Sequence, residues 1–153
     1  MLSMVPELAV RLAAADIVEV LDARTAGATQ QRWRETYARQ LKATHGVWCV
    51  DDFDWHVFAR EMATCVAEGV AEEAWRDVPD GEVIVVSSWT KAAPEGWILA
   101  HKPDMSGLNL DLTVFPGSLE WTMAFTHEIG WLGPYFARAE WQPAEPTTGR
   151  RRR

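Results

Sequence analysis

His127 and Glu128 are the residues of this chain whose types and placement most directly suggest chemistry. They close the run Trp121-Thr122-Met123-Ala124-Phe125-Thr126-His127-Glu128, and Gly133-Pro134-Tyr135-Phe136 follows a few residues later. An imidazole near neutrality can act as a general base or bind a metal, and a neighbouring carboxylate can orient it. The run alternates apolar and polar residues, which predicts a strand. Side chains then alternate faces, so Trp121, Met123, Phe125 and His127 share one face and Thr122, Ala124, Thr126 and Glu128 the other. The first face reads as core, with His127 at its rim, where the ring can bond to a carbonyl or a carboxylate. His127 and Glu128 point apart in a regular strand. They form an acid–base pair only if the chain bends, and Gly130 supplies a place for that. The pair also begins an H-E-x-x-H pattern, but position 131 is Trp, so the second His of a zinc-protease helix is missing.

A second polar cluster holds Asp51, Asp52, Asp54 and His56. Asp54 and His56 are the metal-ligand candidates, because carboxylates with a His can hold a divalent cation. The competing reading is a solvated turn. Trp121, Tyr135 and Phe136 are the binding candidates: an aromatic patch of the kind that anchors protein interfaces, or a core closure behind the Gly133-Pro134 turn. Cys65, near Glu68 and Gly69, has no adjacent His and reads as inert. G-x-S-x-G, Walker, G-x-G-x-x-G and C-x-x-C patterns are all absent, and no motif implies a cofactor.

At 153 residues the chain predicts one domain, able to bury roughly 70% of its unfolded surface. It is 48% hydrophobic and 24% charged, with nine Trp. The formal net charge is −7; without Arg150 to Arg153, eleven basic residues face twenty-two acidic ones. Such a body repels phosphate backbones, so nucleic acid is not an expected partner and a basic protein is. Two cysteines make no disulfide framework, the first residues carry no secretory-signal pattern, and no segment approaches the ~20 apolar residues of a membrane span. The expectation is a cytoplasmic location with no membrane partner.

The elements that must position these groups are read from periodicity. Val5, Leu8, Leu12 and Ala15 recur at helical spacing, with Pro6 in the first turn. Residues 17–21 either extend that helix or form a strand, and residues 23–28 read as a loop. Thr29 is placed as the cap of a second helix reaching about Lys42, with Trp33, Tyr37 and Leu41 on its apolar stripe. Residues 47–58 read as short strands or a turn and helix; residues 71–78 as a brief helix stopped by Pro79-Asp80-Gly81. Residues 83–88 form a strand buried on both faces, hence central. Residues 97–100 suggest another, and residues 110–115 pair with 121–126 as an antiparallel hairpin across Pro116-Gly117. Residues 142–153, with two Pro and four Arg, are expected to be a disordered tail. The fold class is α+β: a single domain over residues 1–141, with N-terminal helices on a mainly antiparallel or mixed sheet formed largely by the C-terminal half.

The chain resembles a family of small bacterial proteins known as domain of unknown function 4275. The resemblance rests on Arg32-Trp33 through Asp54-Trp55-His56-Val57-Phe58, on the strand at 83–86, and above all on Trp121-Thr122 with Thr126-His127-Glu128 and Gly133-Pro134-Tyr135-Phe136. It covers about residues 30 to 137, implies a fold, and assigns no reaction. Two functions remain open. One is a non-catalytic protein-binding module, resembling immunity proteins in size, charge and composition. The other is a small hydrolase or metal-dependent enzyme using His127 with Glu128, Asp54 or His56.

Overall fold

In a computed structural model, which describes residues 5–129 and 131–144, seven antiparallel strands carry helices on both faces. The order along the chain is α1 (Pro6–Ala14), β1 (Ile17–Leu21), α2 (Ala23–Tyr37), α3 (Arg39–His45), α4 (His56–Ala59), β2 (Val66–Ala67), α5 (Glu68–Asp77), β3 (Val83–Ser87), β4 (Gly96–Leu99), β5 (Leu112–Phe115), β6 (Trp121–Phe125) and β7 (Tyr135–Arg138), closed by a 3₁₀ turn at Ala139–Trp141. The strands lie in the order β1-β4-β3-β5-β6-β7-β2. This is the expected α+β fold, with five of its seven strands in the C-terminal half and every pairing antiparallel.

Alternation sorts the strand side chains into two cores. Leu8 and Leu12 of α1 and Ala71 of α5 pack on Val83, Val85, Leu99, Leu112, Val114, Met123 and Phe136. Trp33 and Tyr37 of α2, Leu41 of α3 and Val57 and Phe58 of α4 pack on Val86, Phe115, Ala124, Tyr135 and Ala137. Burial on both faces explains why β5 and β6 are buried along their whole length. Each large apolar side chain taken from water there contributes on the order of 2 kcal/mol. α2 is also fixed by polar bonds across the sheet: Trp33 Nε1 donates to Thr122 Oγ1 at 2.9 Å, and Tyr37 donates its hydroxyl to the Leu119 carbonyl at 2.9 Å.

Two local expectations change. The second helix starts at Ala23, six residues before Thr29, because the Asp22 carboxylate accepts from the Thr25 amide at 2.7 Å and caps it. Thr29 lies inside that helix and donates to the Thr25 carbonyl. The helix stops at Tyr37, and α3 follows as a separate element. His56 opens a short helix, and residues 17–21 form a strand; each is one of the two alternatives the sequence left open there. The central strand at 83–87 and the hairpin formed by β5 and β6 agree with the sequence reading. Of the expected tail, Gln142 is described: its side chain bonds to both the amide and the carbonyl of Thr64. Residues 145–153, with the arginine run, lie outside the described residues.

Candidate functional site: a His–Asp pair at the end of the sheet

β3 and β6 run in the same direction on either side of β5, so their C-terminal ends meet the start of β5. Ser87, Leu112 and Phe125 form the last complete row of this ladder. One step further, the Ser88 amide donates to the Asp111 carbonyl at 3.1 Å. Asp111 therefore stands at the sheet end, between the exits of two strands.

Its carboxylate gathers three donors. The His127 amide donates at 3.1 Å, His127 Nδ1 lies 2.8 and 3.0 Å from the two oxygens, and Trp55 Nε1 donates at 2.7 Å. A carboxylate only accepts, so Nδ1 carries the proton and Nε2 of the neutral ring is left as an acceptor. The Asp111 side chain is 15% exposed and that of His127 44%. The acid is enclosed and the imidazole edge is open.

Thr126 explains why the chain bends here. Its hydroxyl donates to the Leu132 carbonyl at 2.6 Å and accepts from the Glu128 amide at 3.1 Å. Gly133 closes the loop at φ +80°, where a Cβ would lie 3.0 Å from the Thr126 methyl. The strand ends at Phe125, so the predicted alternation fails at its last step. Trp121, Met123 and Phe125 stay on the α1–α5 side. His127 turns instead to Phe53 and Trp55, with ring centroids 5.1 and 6.1 Å away. The same bend brings Glu128 Oε2 to 3.6 Å from His127 Nε2. The two residues therefore do meet, and the partner holding the ring is Asp111.

The 52–55 segment supplies the floor. Phe53 forms a bridge with Trp89, the Asp54 amide donates to the Ser88 carbonyl at 2.9 Å, and the Thr90 amide donates to the Asp52 carbonyl at 2.8 Å. Trp55, fully buried, stacks with Phe53 and Tyr135 on either hand of the sequence. Beside His127 opens a cleft of about 340 Å³, lined by Val5, Phe53, Trp89, Ala92 and Ala93 with Ser87, Glu95 and Asp111. Such a lining, apolar with a few polar groups, is the usual character of a binding pocket.

The remaining candidates fall elsewhere. Asp54 is 3% exposed and is held by Arg34 at 2.7 Å and Gln30 at 3.0 Å. Burial pushes its carboxyl up against the pull of Arg34 and Gln30. His56 Nδ1 lies 3.1 Å from the Val50 carbonyl and donates to it. Asp54 and His56 thus turn to different partners, and among the described residues no group of three or more His, Cys, Asp or Glu is placed to hold a metal ion. Trp121, Tyr135 and Phe136 are buried, so all three serve the core and present no surface patch. Burial pushes the Cys49 thiol up to about 12 and the Cys65 thiol to about 11, which leaves both protonated and poorly nucleophilic. Among the described residues no helix is long and apolar enough to cross a membrane.

Sequence reasoning missed Asp111, Phe53 and Trp89. A usable signal existed for Asp111. The predicted hairpin brings Asp111 near the end of the second strand, and extension of the observed pairs Leu112–Phe125 and Thr113–Ala124 sets it opposite Thr126, one residue from His127. Nothing local marks Phe53 and Trp89 as neighbours.

The sheet with helices on both faces, ending in this Thr126-His127-Glu128 corner, defines a small α+β domain protein. The chain belongs to the family described as a domain of unknown function (DUF4275), which matches residues 7–136. No curated protein and no solved structure matches the chain.

Proposed function

We propose that this chain is a non-catalytic recognition module that binds a basic protein partner at the His127 corner. The observation carrying the reading is the cleft itself: an aromatic and aliphatic wall of Phe53, Trp89, Ala92 and Ala93 beside Glu95, Asp111 and His127. A Lys or Arg side chain of the partner lays its stem across Trp89, which is 44% exposed, and brings its N–H groups to the His127 Nε2 acceptor and the Glu128 carboxylate. The excess of acidic over basic residues favours and steers that encounter. Glu128 and Trp131, the latter 81% exposed, extend the same loop into solvent. Of the residues lining the cleft, Ser87 is the hydroxyl, and its Oγ serves the fold by accepting from the Glu95 amide at 2.9 Å.

The test is affinity capture from the native cell, followed by calorimetry on the purified pair. The expected result is a stoichiometric basic protein whose affinity falls at least tenfold with Trp89→Ala or His127→Ala and weakens with salt. Failure to recover a stoichiometric partner, or a partner indifferent to both variants, overturns the reading.

One observation favours a second reading. Asp111 orients His127 through Nδ1 and leaves Nε2 on the cleft, the arrangement of a general base that activates water. In that case the protein is a small hydrolase, and turnover of a panel of activated esters and phosphodiesters is lost in His127→Gln and reduced in Asp111→Asn.

A further inference from the structure

The two ends of the seven-stranded sheet are not alike. One edge is β2, two residues long, which runs directly into α5, with the Glu68 amide donating to the Pro134 carbonyl. That edge is too short to accept another strand. The other edge is β1, which carries one bulge between Ile17 and Glu19 and to which no further strand is added among the described residues. Ile17, Val18 and Val20 are 42%, 58% and 66% exposed, and Glu19 is exposed beside them. Natural edges of this length are ordinarily covered, charged or broken, because an exposed apolar edge invites another strand.

The register shows which backbone groups are unpaired. The Ser87 amide donates to the Glu95 carbonyl, and hydrogen-bonded pairs alternate along an antiparallel ladder. The Val85–Trp97 pair is therefore also a bonded one, and Trp97 spends its backbone groups on β3. Val20, which is paired with Trp97 across β1 and β4, has nothing left to bond on that side. Its N–H and C=O point away from the sheet.

Charge chooses the occupant. From residue 15 to residue 23 the charged residues are Asp16, Glu19 and Asp22, all acidic. A second copy brings the same acidic edge and the same net charge of −7, so its approach is opposed, whereas a basic segment is drawn in. A strand carrying Lys or Arg opposite Glu19 and apolar residues opposite Ile17 and Val20 meets no such conflict.

We propose that β1 is a second docking surface, at which a basic, extended segment of another protein adds as an eighth strand. Main-chain bonds to Val20 and Ile17 give the affinity, and Glu19 selects a basic sequence. The surface is separate from the His127 corner and does not depend on its role.

The probe is an eight-residue peptide of alternating Val and Lys, with an alternating Val and Glu peptide as control. Calorimetry should show the Val–Lys peptide binding at least tenfold tighter than the control. Hydrogen exchange should slow over residues 16–22 on binding. Glu19→Lys, at an exposed position, should remove at least tenfold of that affinity with thermal unfolding unchanged. Trp89→Ala should leave the peptide affinity unaltered, which separates this surface from the cleft. Equal binding of the two peptides, protection confined to another segment, or an indifferent Glu19→Lys overturns the proposal. A peptide-free dimer with residues 16–22 protected overturns it in favour of a second copy.

Discussion

Asp54 and Asp111 flank Trp55 in the fold, and they are used in opposite ways. Asp54 is sealed at 3% exposure and meets the Arg34 guanidinium and the Gln30 amide. Asp111 is less enclosed, at 15% exposure, and its partner is an imidazole that is itself 44% exposed. A guanidinium keeps its charge at every accessible pH, so it fixes the first carboxylate permanently. The His127 ring is held on one side only and is 44% exposed, so the second site can still take a further partner. Burial of a carboxylate therefore marks a structural group here when its partner is Arg, and a candidate working group when its partner is an open His.

The sharpest way to break that contrast is to remove each partner in turn. Arg34→Met leaves Asp54 buried without its counter-ion. Loss of one member of a buried pair costs about 3–5 kcal/mol, and equilibrium urea unfolding should show a loss of that order. If the loss stays below about 1 kcal/mol, Asp54 is not the structural member. Next comes Asp111→Asn. It removes the charge and the Oδ2 acceptor 3.0 Å from His127 Nδ1, while Oδ1 can still accept from Trp55 Nε1 and His127. The expected cost is about 1–2 kcal/mol, the size of a bond to a charged group, together with a tenfold or larger loss of partner affinity. His127→Ala should cost least in stability, within about 0.5 kcal/mol as for an exposed substitution, and should still weaken the partner by tenfold. A stability loss from His127→Ala as large as that from Arg34→Met would erase the distinction.

How far the sequence could anticipate this contrast depended on whether the signal was local. The β5–β6 hairpin was legible because alternation and Pro116-Gly117 are both contained within it. Residues 23–28 read as a loop because their small residues give no apolar stripe. Within them only Ala26 is buried, with Gly27 set against Pro94, and the cap at Asp22 that starts the helix lies just outside the segment. His127 was legible as a residue, but its orientation was not. A single hydroxyl, Thr126, turns the chain by bonding across six positions to Leu132, and strand periodicity carries no sign of that. Asp111 looked like one more outward residue of an alternating strand, although the hairpin register already placed it beside the His. Phe53 and Trp89 meet through an isolated bridge between two loops, a contact thirty-six positions apart that no window of local sequence contains.

Ser88 gives the smallest expected effect and tests the same corner from inside. It sits between the two carboxylates along the chain's contacts: its carbonyl accepts from the Asp54 amide and its amide donates to the Asp111 carbonyl. It is fully buried, and among the described residues its Oγ is the buried side-chain polar atom without a hydrogen-bond partner. A hydroxyl taken from water without a partner costs about 1–3 kcal/mol. Ser88→Ala removes that cost and loses one small atom's packing, while both backbone bonds stay. Thermal unfolding should therefore show a stability change between zero and a gain of about 1 kcal/mol, with the partner affinity unchanged. A clear loss of stability would mean that the hydroxyl is engaged with Asp54 or Asp111 in solution. The two carboxylates would then be coupled through Ser88, and the division between a fixed acid and one open to a further partner would have to be redrawn as a single network.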